Sequence, residues 1–143
     1  MAAKAFLAVS AAALLIATSA LAGVSKFNGT YKGKTSQGLP ITITVKAPGK
    51  YYDVTVKPRL RYKCASSRAQ TLNDMAQVKI TSTGRFSGVV AGGDRGFELT
   101  VSGSIRGRQA SGRLSSSLYA HASATGALSD KCATGKVSFT ATR

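Results

Sequence analysis

From Val54 to Cys64 the chain reads VTVKPRLRYKC. Its apolar and polar residues alternate without a break: Val54, Val56, Pro58, Leu60, Tyr62 and Cys64 against Thr55, Lys57, Arg59, Arg61 and Lys63. Successive side chains of a β-strand point to opposite faces, so strict alternation over eleven residues fits an extended strand, whereas a helix would scatter both sets around its circumference. The segment reads as a strand with one buried face and one face of four positive charges. Shorter runs of the same period recur between turn signals: residues 26–35, 39–46, 77–81, 85–91, 97–107, 110–120 and 131–143. No stretch holds a helical repeat. Residues 65–75 read as a polar connection and 122–130 as a loop, which leaves about eight antiparallel strands in one all-β domain. The expected arrangement is a meander forming a closed or half-closed barrel, with a β-sandwich as the alternative.

A hydrophobic or small residue followed two positions later by glycine recurs through the chain. It appears at Phe27-Asn28-Gly29, Phe86-Ser87-Gly88, Ile105-Arg106-Gly107, Ala110-Ser111-Gly112, Ala124-Thr125-Gly126 and Ala133-Thr134-Gly135. Glycine inside a strand marks a bulge or a close backbone approach, so the pattern favours a strongly curved sheet.

The first 22 residues have the anatomy of a secretory signal peptide: Lys4, an apolar run from Ala5 to Ile16, and a small-residue site at Ala20-Leu21-Ala22. Cleavage there leaves a single domain, residues 23–143, with no transmembrane segment. No cysteine follows the site, so no lipid anchor is expected, and the address is secreted, periplasmic or cell-envelope. Of 20 Lys+Arg only Lys4 lies in the leader, so 19 basic side chains face 5 acidic ones in the mature chain, a net charge of +14. An excess of that size bears on partners and solubility rather than on fold. In an exported protein the two cysteines, Cys64 and Cys132, pair with each other. Metal binding lacks partners, because neither cysteine sits in a C-x-x-C and the single histidine, His121, has no second ligand at a recognisable spacing.

The opening FNGTYKGKT, the mid-chain cysteine, the glycine-punctuated hairpins and the closing CATGKVSFTA together resemble a type of small, uncharacterised, exported bacterial β-protein. The hairpin pattern is also faintly similar to the avidin-type up-and-down barrel. That family lines its site with tryptophan, and this chain has none.

Nothing in the chain assembles a catalytic constellation. Asp53, Asp74, Asp94, Glu98 and Asp130 are scattered, with Asp94 and Asp130 in predicted turns. No nucleophile elbow, Walker-type loop or dinucleotide fingerprint is present. The expected protein is a non-enzymatic binding or envelope-associated domain without cofactor or metal. Its candidate site is the cationic set Lys57, Arg59, Arg61 and Lys63, with Arg68 close behind. Same-face residues on a strand lie roughly 7 Å apart, which suits a linear polyanion such as a cell-wall polymer or acidic polysaccharide, or an anionic membrane surface; no specific nucleic-acid motif occurs. A competing use is structural: basic residues guard sheet edges against aggregation, and Pro58, lacking an N–H, belongs at an edge or a bulge. Two other functions fit the same fold, a barrel holding a small apolar ligand and a secreted enzyme inhibitor presenting a loop. Tyr62 belongs to the core by phase, while Tyr51 and Tyr52 are the candidates for an exposed aromatic contact.

Overall fold

The computed structural model describes residues 23–121 and 128–143. The predicted signal peptide, residues 1–22, and Gly126 of the glycine motif lie outside the described residues. Ten strands follow in order: β1 (Gly29–Thr35), β2 (Pro40–Val45), β3 (Val54–Cys64), β4 (Ala69–Asn73), β5 (Ala76–Val78), β6 (Arg85–Gly92), β7 (Phe97–Arg106), β8 (Gln109–His121), β9 (Leu128–Ala133) and β10 (Val137–Thr142). All pairings are antiparallel and belong to one sheet. Six strands, β1, β2, β3, β9, β8 and β10, close a ring of hydrogen-bonded neighbours. From β8 the sheet continues through β7 to β6, while β4 and β5 line the other side of β3. The single bridge Ile80 to Phe86 ties the end of β5 toward β6.

Two segments without recognisable alternation are strands after all. The stretch expected to be a polar connection contains β4, whose residues are exposed or half-buried throughout, so no apolar face announces it. It is held by its ladder to Arg59–Lys63 of β3. The loop expected over 122–130 ends earlier, because β9 begins at Leu128 and Asp130 lies in a strand instead of a turn. Asp130 takes an inward position that a hydrophobic residue would ordinarily hold, which hid the alternation.

The core is one cluster drawn from the inward positions of nearly every strand. Tyr31, Ile41, Ile43, Val54, Leu60, Tyr62, Leu99 and Ile105 are among its fully covered members. Two glycines show why the sheet can curl so tightly. A Cβ on Gly33 would lie 1.9 Å from Thr140 O, and one on Gly112 would lie 2.1 Å from Ser102 O. Only a hydrogen side chain permits such close approach between strands.

Cys64 and Cys132 form a disulfide between directly opposed residues of β3 and β9. That seam has only two paired residues on each side, Lys63 with Ala133 and Cys64 with Cys132, fewer than any other pairing around the ring. Asp130 reinforces it: its carboxylate accepts from Ser66 N at 2.9 Å, Ser66 Oγ at 2.5 Å and Arg68 Nη2 at 3.1 Å. No helix among the described residues is long and apolar enough to cross a membrane.

Candidate functional site

The phase read from the sequence holds at every position of β3 from Val56 onward. Val56, Pro58, Leu60, Tyr62 and Cys64 are buried, and Lys57, Arg59, Arg61 and Lys63 are exposed between them. β3 is an internal strand, with β2 and β9 along one side and β5 and β4 along the other. Between β2 and β9 the Gln37 side chain stands in for a neighbouring peptide: its Nε2 donates to Arg61 O at 2.9 Å and its Oε1 accepts from Arg61 N at 2.8 Å. The expectation that Pro58 marks a sheet edge is therefore corrected. It sits opposite the break between β4 and β5, where Asp74 N donates to Pro58 O and no return bond from a proline nitrogen is needed. β3 is not an outer strand of the sheet, and its longest stretch without a strand neighbour is residues 59–62 on the β2–β9 side, where Gln37 bonds the Arg61 backbone.

Register adds cations that the linear sequence did not connect to this strand. Lys32 of β1 pairs with Thr42 of β2, and Thr42 pairs with Lys57, so one row across the outer surface runs Lys32, Thr42, Lys57. Lys34 pairs with Pro40, which lies in the next row beside Arg59. Two-strand separation sets the two lysines roughly 10 Å from the β3 charges. The ion pairs among the described residues are Arg68 with Asp130 and Lys79 with Asp53, so none of these six cations is neutralised by a carboxylate.

Arg68 does not join them. Its guanidinium bonds Asp130, Ser66 Oγ at 3.3 Å and His121 O at 2.8 Å, clamping the β3–β4 turn against β8 and β9. Its charge is locally matched, and its work is structural.

Tyr51 and Tyr52 are exposed, at 75% and 42%, on the loop between β2 and β3. That loop is firmly held. Asn28 bonds both the N–H and the carbonyl of Ala47, at 2.7 and 2.9 Å, and buried Asp53 accepts from Gly49 N at 2.6 Å and Ile80 N at 3.2 Å. Lys50 places its ammonium 5.0 Å from the centre of the Tyr51 ring.

One group of metal-ligating side chains comes together among the described residues: Cys64, Cys132 and Asp130. The sulfurs are bonded to each other and the carboxylate is committed to Ser66 and Arg68, so the cluster has no lone pairs arranged for a cation.

A groove of about 450 Å³ opens on the cationic face at the β4–β5 break, lined by Pro40, Thr42, Lys57, Arg59, Asn73, Asp74 and Met75 around Pro58. Sequence reasoning passed over Asp74 as one scattered acid, since nothing linear connects it to Tyr62, whose buried hydroxyl it contacts. No family model, curated protein or solved structure matches this chain.

Proposed function

We propose that this is an exported, non-enzymatic β-domain that binds a linear anionic polymer of the cell envelope or its surroundings through the outer face of β3. The observation that carries the reading is a row of four exposed cations on an internal strand, joined across the sheet by Lys32 and Lys34 and matched by no carboxylate. Like charges at such spacing repel one another, and a polyanion relieves that repulsion while releasing its own counterions. Export fits the signal-like leader and the disulfide.

The test is retention on immobilised dextran sulfate. Reversal of Arg59 and Arg61 to glutamate should weaken binding sharply, while reversal of Lys26 and Lys136, which lie elsewhere on the surface, should weaken it slightly. Equal losses in the two double mutants would mean that net charge alone drives binding and would remove the site. Binding to anionic vesicles without binding to soluble polymer would replace the polymer by a membrane surface.

A second reading has one observation of its own. The 46–53 loop is rigid and presents Lys50 and Tyr51 outward, as a secreted inhibitor presents a loop to an enzyme. Tyr51→Ala should leave polymer retention intact, so its loss of any inhibitory activity separates the two.

A further inference from the structure

Among the described residues β4 has a strand neighbour on one side only. Bonds at its two ends fix the phase of its ladder: Cys64 N donates to Arg68 O at 2.8 Å and Asp74 N donates to Pro58 O at 3.0 Å. In an antiparallel pair, successive residues alternate between exchanging both backbone bonds with the partner and exchanging none. Gln70 and Leu72, in register with Tyr62 and Leu60, therefore bond to β3, while Ala69, Thr71 and Asn73 turn their N–H and C=O groups away from it. The Gln37 side chain meets the matching outward groups on the far side of β3, at Arg61, which lies in register with Thr71.

Three outward donor–acceptor pairs in five residues form a template for one more strand. The devices that ordinarily blunt such an edge are missing, since β4 carries neither a charge nor a proline. The free side of β6 differs, because Val78 packs against Gly88 there and a Cβ on that glycine would lie 2.6 Å from Val78 Cγ1. Cover is incomplete at the inward side chains of β4 as well. Leu72 touches the core but is only partly buried, and the buried Gln70 Nε2 has no hydrogen-bond partner among the described residues. A hollow of about 240 Å³ opens beside Gln70, with Arg68, Arg95 and Ala120 in its lining. A strand laid along β4 would set one side chain over Leu72 and another opposite Gln70, where an acceptor satisfies the amide.

Charge selects the strand. On the outer face Ala69, Thr71 and Asn73 stand in register with Lys63, Arg61 and Arg59. Two strand spacings, roughly 10 Å, separate those cations from the outer side chains of an added strand, a gap that arginine, lysine and glutamate tails close over small Ala69 and Thr71.

We propose that the free edge of β4 receives an extended segment of a partner protein, paired main chain to main chain. Its outward positions carry acids, and its inward positions carry an apolar residue over Leu72 and a hydrogen-bond acceptor over Gln70. A second copy of this chain is the poorer occupant, because it brings the same large positive charge to the same face.

The probe is a capped peptide of the pattern Glu-Val-Glu-Gln-Glu, added to the full chain. The amide protons of Ala69, Thr71 and Asn73 should gain protection from exchange, while those of Gln70 and Leu72, already bonded to β3, should not change. Thr71→Pro removes one outward donor and no bond of the β3–β4 ladder, so it should keep its strand signal in circular dichroism and bind the peptide roughly tenfold more weakly. Methylation of the peptide's central amide nitrogen, which leaves its charge unchanged, should weaken binding to the same degree. Equal affinity for the methylated peptide means that charge alone attracts it and overturns strand addition, and this arm decides alone should Thr71→Pro not fold. Equal affinity of folded Thr71→Pro overturns it too. A peptide with lysine in place of glutamate should not bind; binding as tight as the acidic one would overturn the acidic partner. No gain of protection in wild type overturns the site, and self-association that protects the same three amides without peptide would give the edge to a second copy and overturn the partner segment.

Discussion

Two carboxyl groups of this protein are pushed in opposite directions by their surroundings, and each leaves a separate mark on stability. Asp130 accepts from the Ser66 hydroxyl and amide and, more weakly, from Arg68, and these hold its pKa below the ordinary value against the cost of its burial. Its contribution to stability is present above the ordinary carboxylate range and is lost as pH falls through the depressed value. Asp74 is the reverse case. Its contribution is complete below the ordinary range and is lost as pH rises through the raised value. Denaturant titrations across pH should therefore show a shallower acid limb in Asp130→Asn and a smaller loss on the rising side in Asp74→Asn; two unchanged profiles would discredit the assigned environments. Burial, with Asp74 adding to it, also pushes the Tyr62 hydroxyl above its usual range, so it stays protonated at any ordinary pH. Tyr62→Phe removes the buried hydroxyl that bonds Asp74 and Ser116 and should cost about 1 to 3 kcal/mol, measured as a drop in unfolding free energy in urea. Gly33→Ala, which drives a methyl group into the Thr140 carbonyl, should cost about 3 kcal/mol by the same measurement.

At the scale of elements, the ring of six strands is only as continuous as the two-residue seam between β3 and β9, and that is where the disulfide lies. A link across 68 residues of chain stabilises by about 4 kcal/mol in the chain-entropy model. Replacing both Cys64 and Cys132 by serine should lower the unfolding free energy by about that amount, and amide exchange in β9 should speed up before exchange in β1 or β2. A uniform loss of protection would mean that the seam is not the weak point. The same elements show what could be read from the chain. Alternation in β1, β2, β3, β7, β8 and β10 carried the strand assignment and the buried face, since their inward positions are apolar or glycine except for Thr35 in β1 and Ser116 in β8. β4 has no such contrast because neither of its faces is fully covered, and β9 hides it by turning Asp130 inward. The four β3 cations were legible as a face. Their meeting with Lys32 and Lys34, and the distance of Pro58 from any sheet edge, depend on which strands become neighbours, and no local pattern encodes that. Asp74 was invisible for the same reason, its partner Tyr62 being in the core of another strand.

Over the whole molecule the charges are sorted as well as unbalanced. Asp53 and Asp130 are engaged with Lys79 and Arg68, and Asp74 is turned toward the buried Tyr62 hydroxyl, away from the outer face of β3. The field over that face is therefore set by cations, and a linear polyanion lying along it displaces counterions in proportion to the contacts it makes. The logarithm of the binding constant should fall linearly with the logarithm of salt concentration. Reversing Arg59 and Arg61 deletes two contacts, so the slope should become shallower by roughly 1.4 to 1.8, whereas reversing Lys26 and Lys136 should shift the line downward with little change of slope. The fold should tolerate the first pair, because both side chains are exposed and the inward set of β3 is untouched. Aggregation is not expected either. The incompletely paired edges of the sheet are those of β4, β5 and β6, and the reversed residues lie on a strand with partners on both sides. If the glutamates at 59 and 61 left the salt slope unchanged and made the protein aggregate, those charges would be guarding an edge exposed in solution, and the binding face would have to be abandoned.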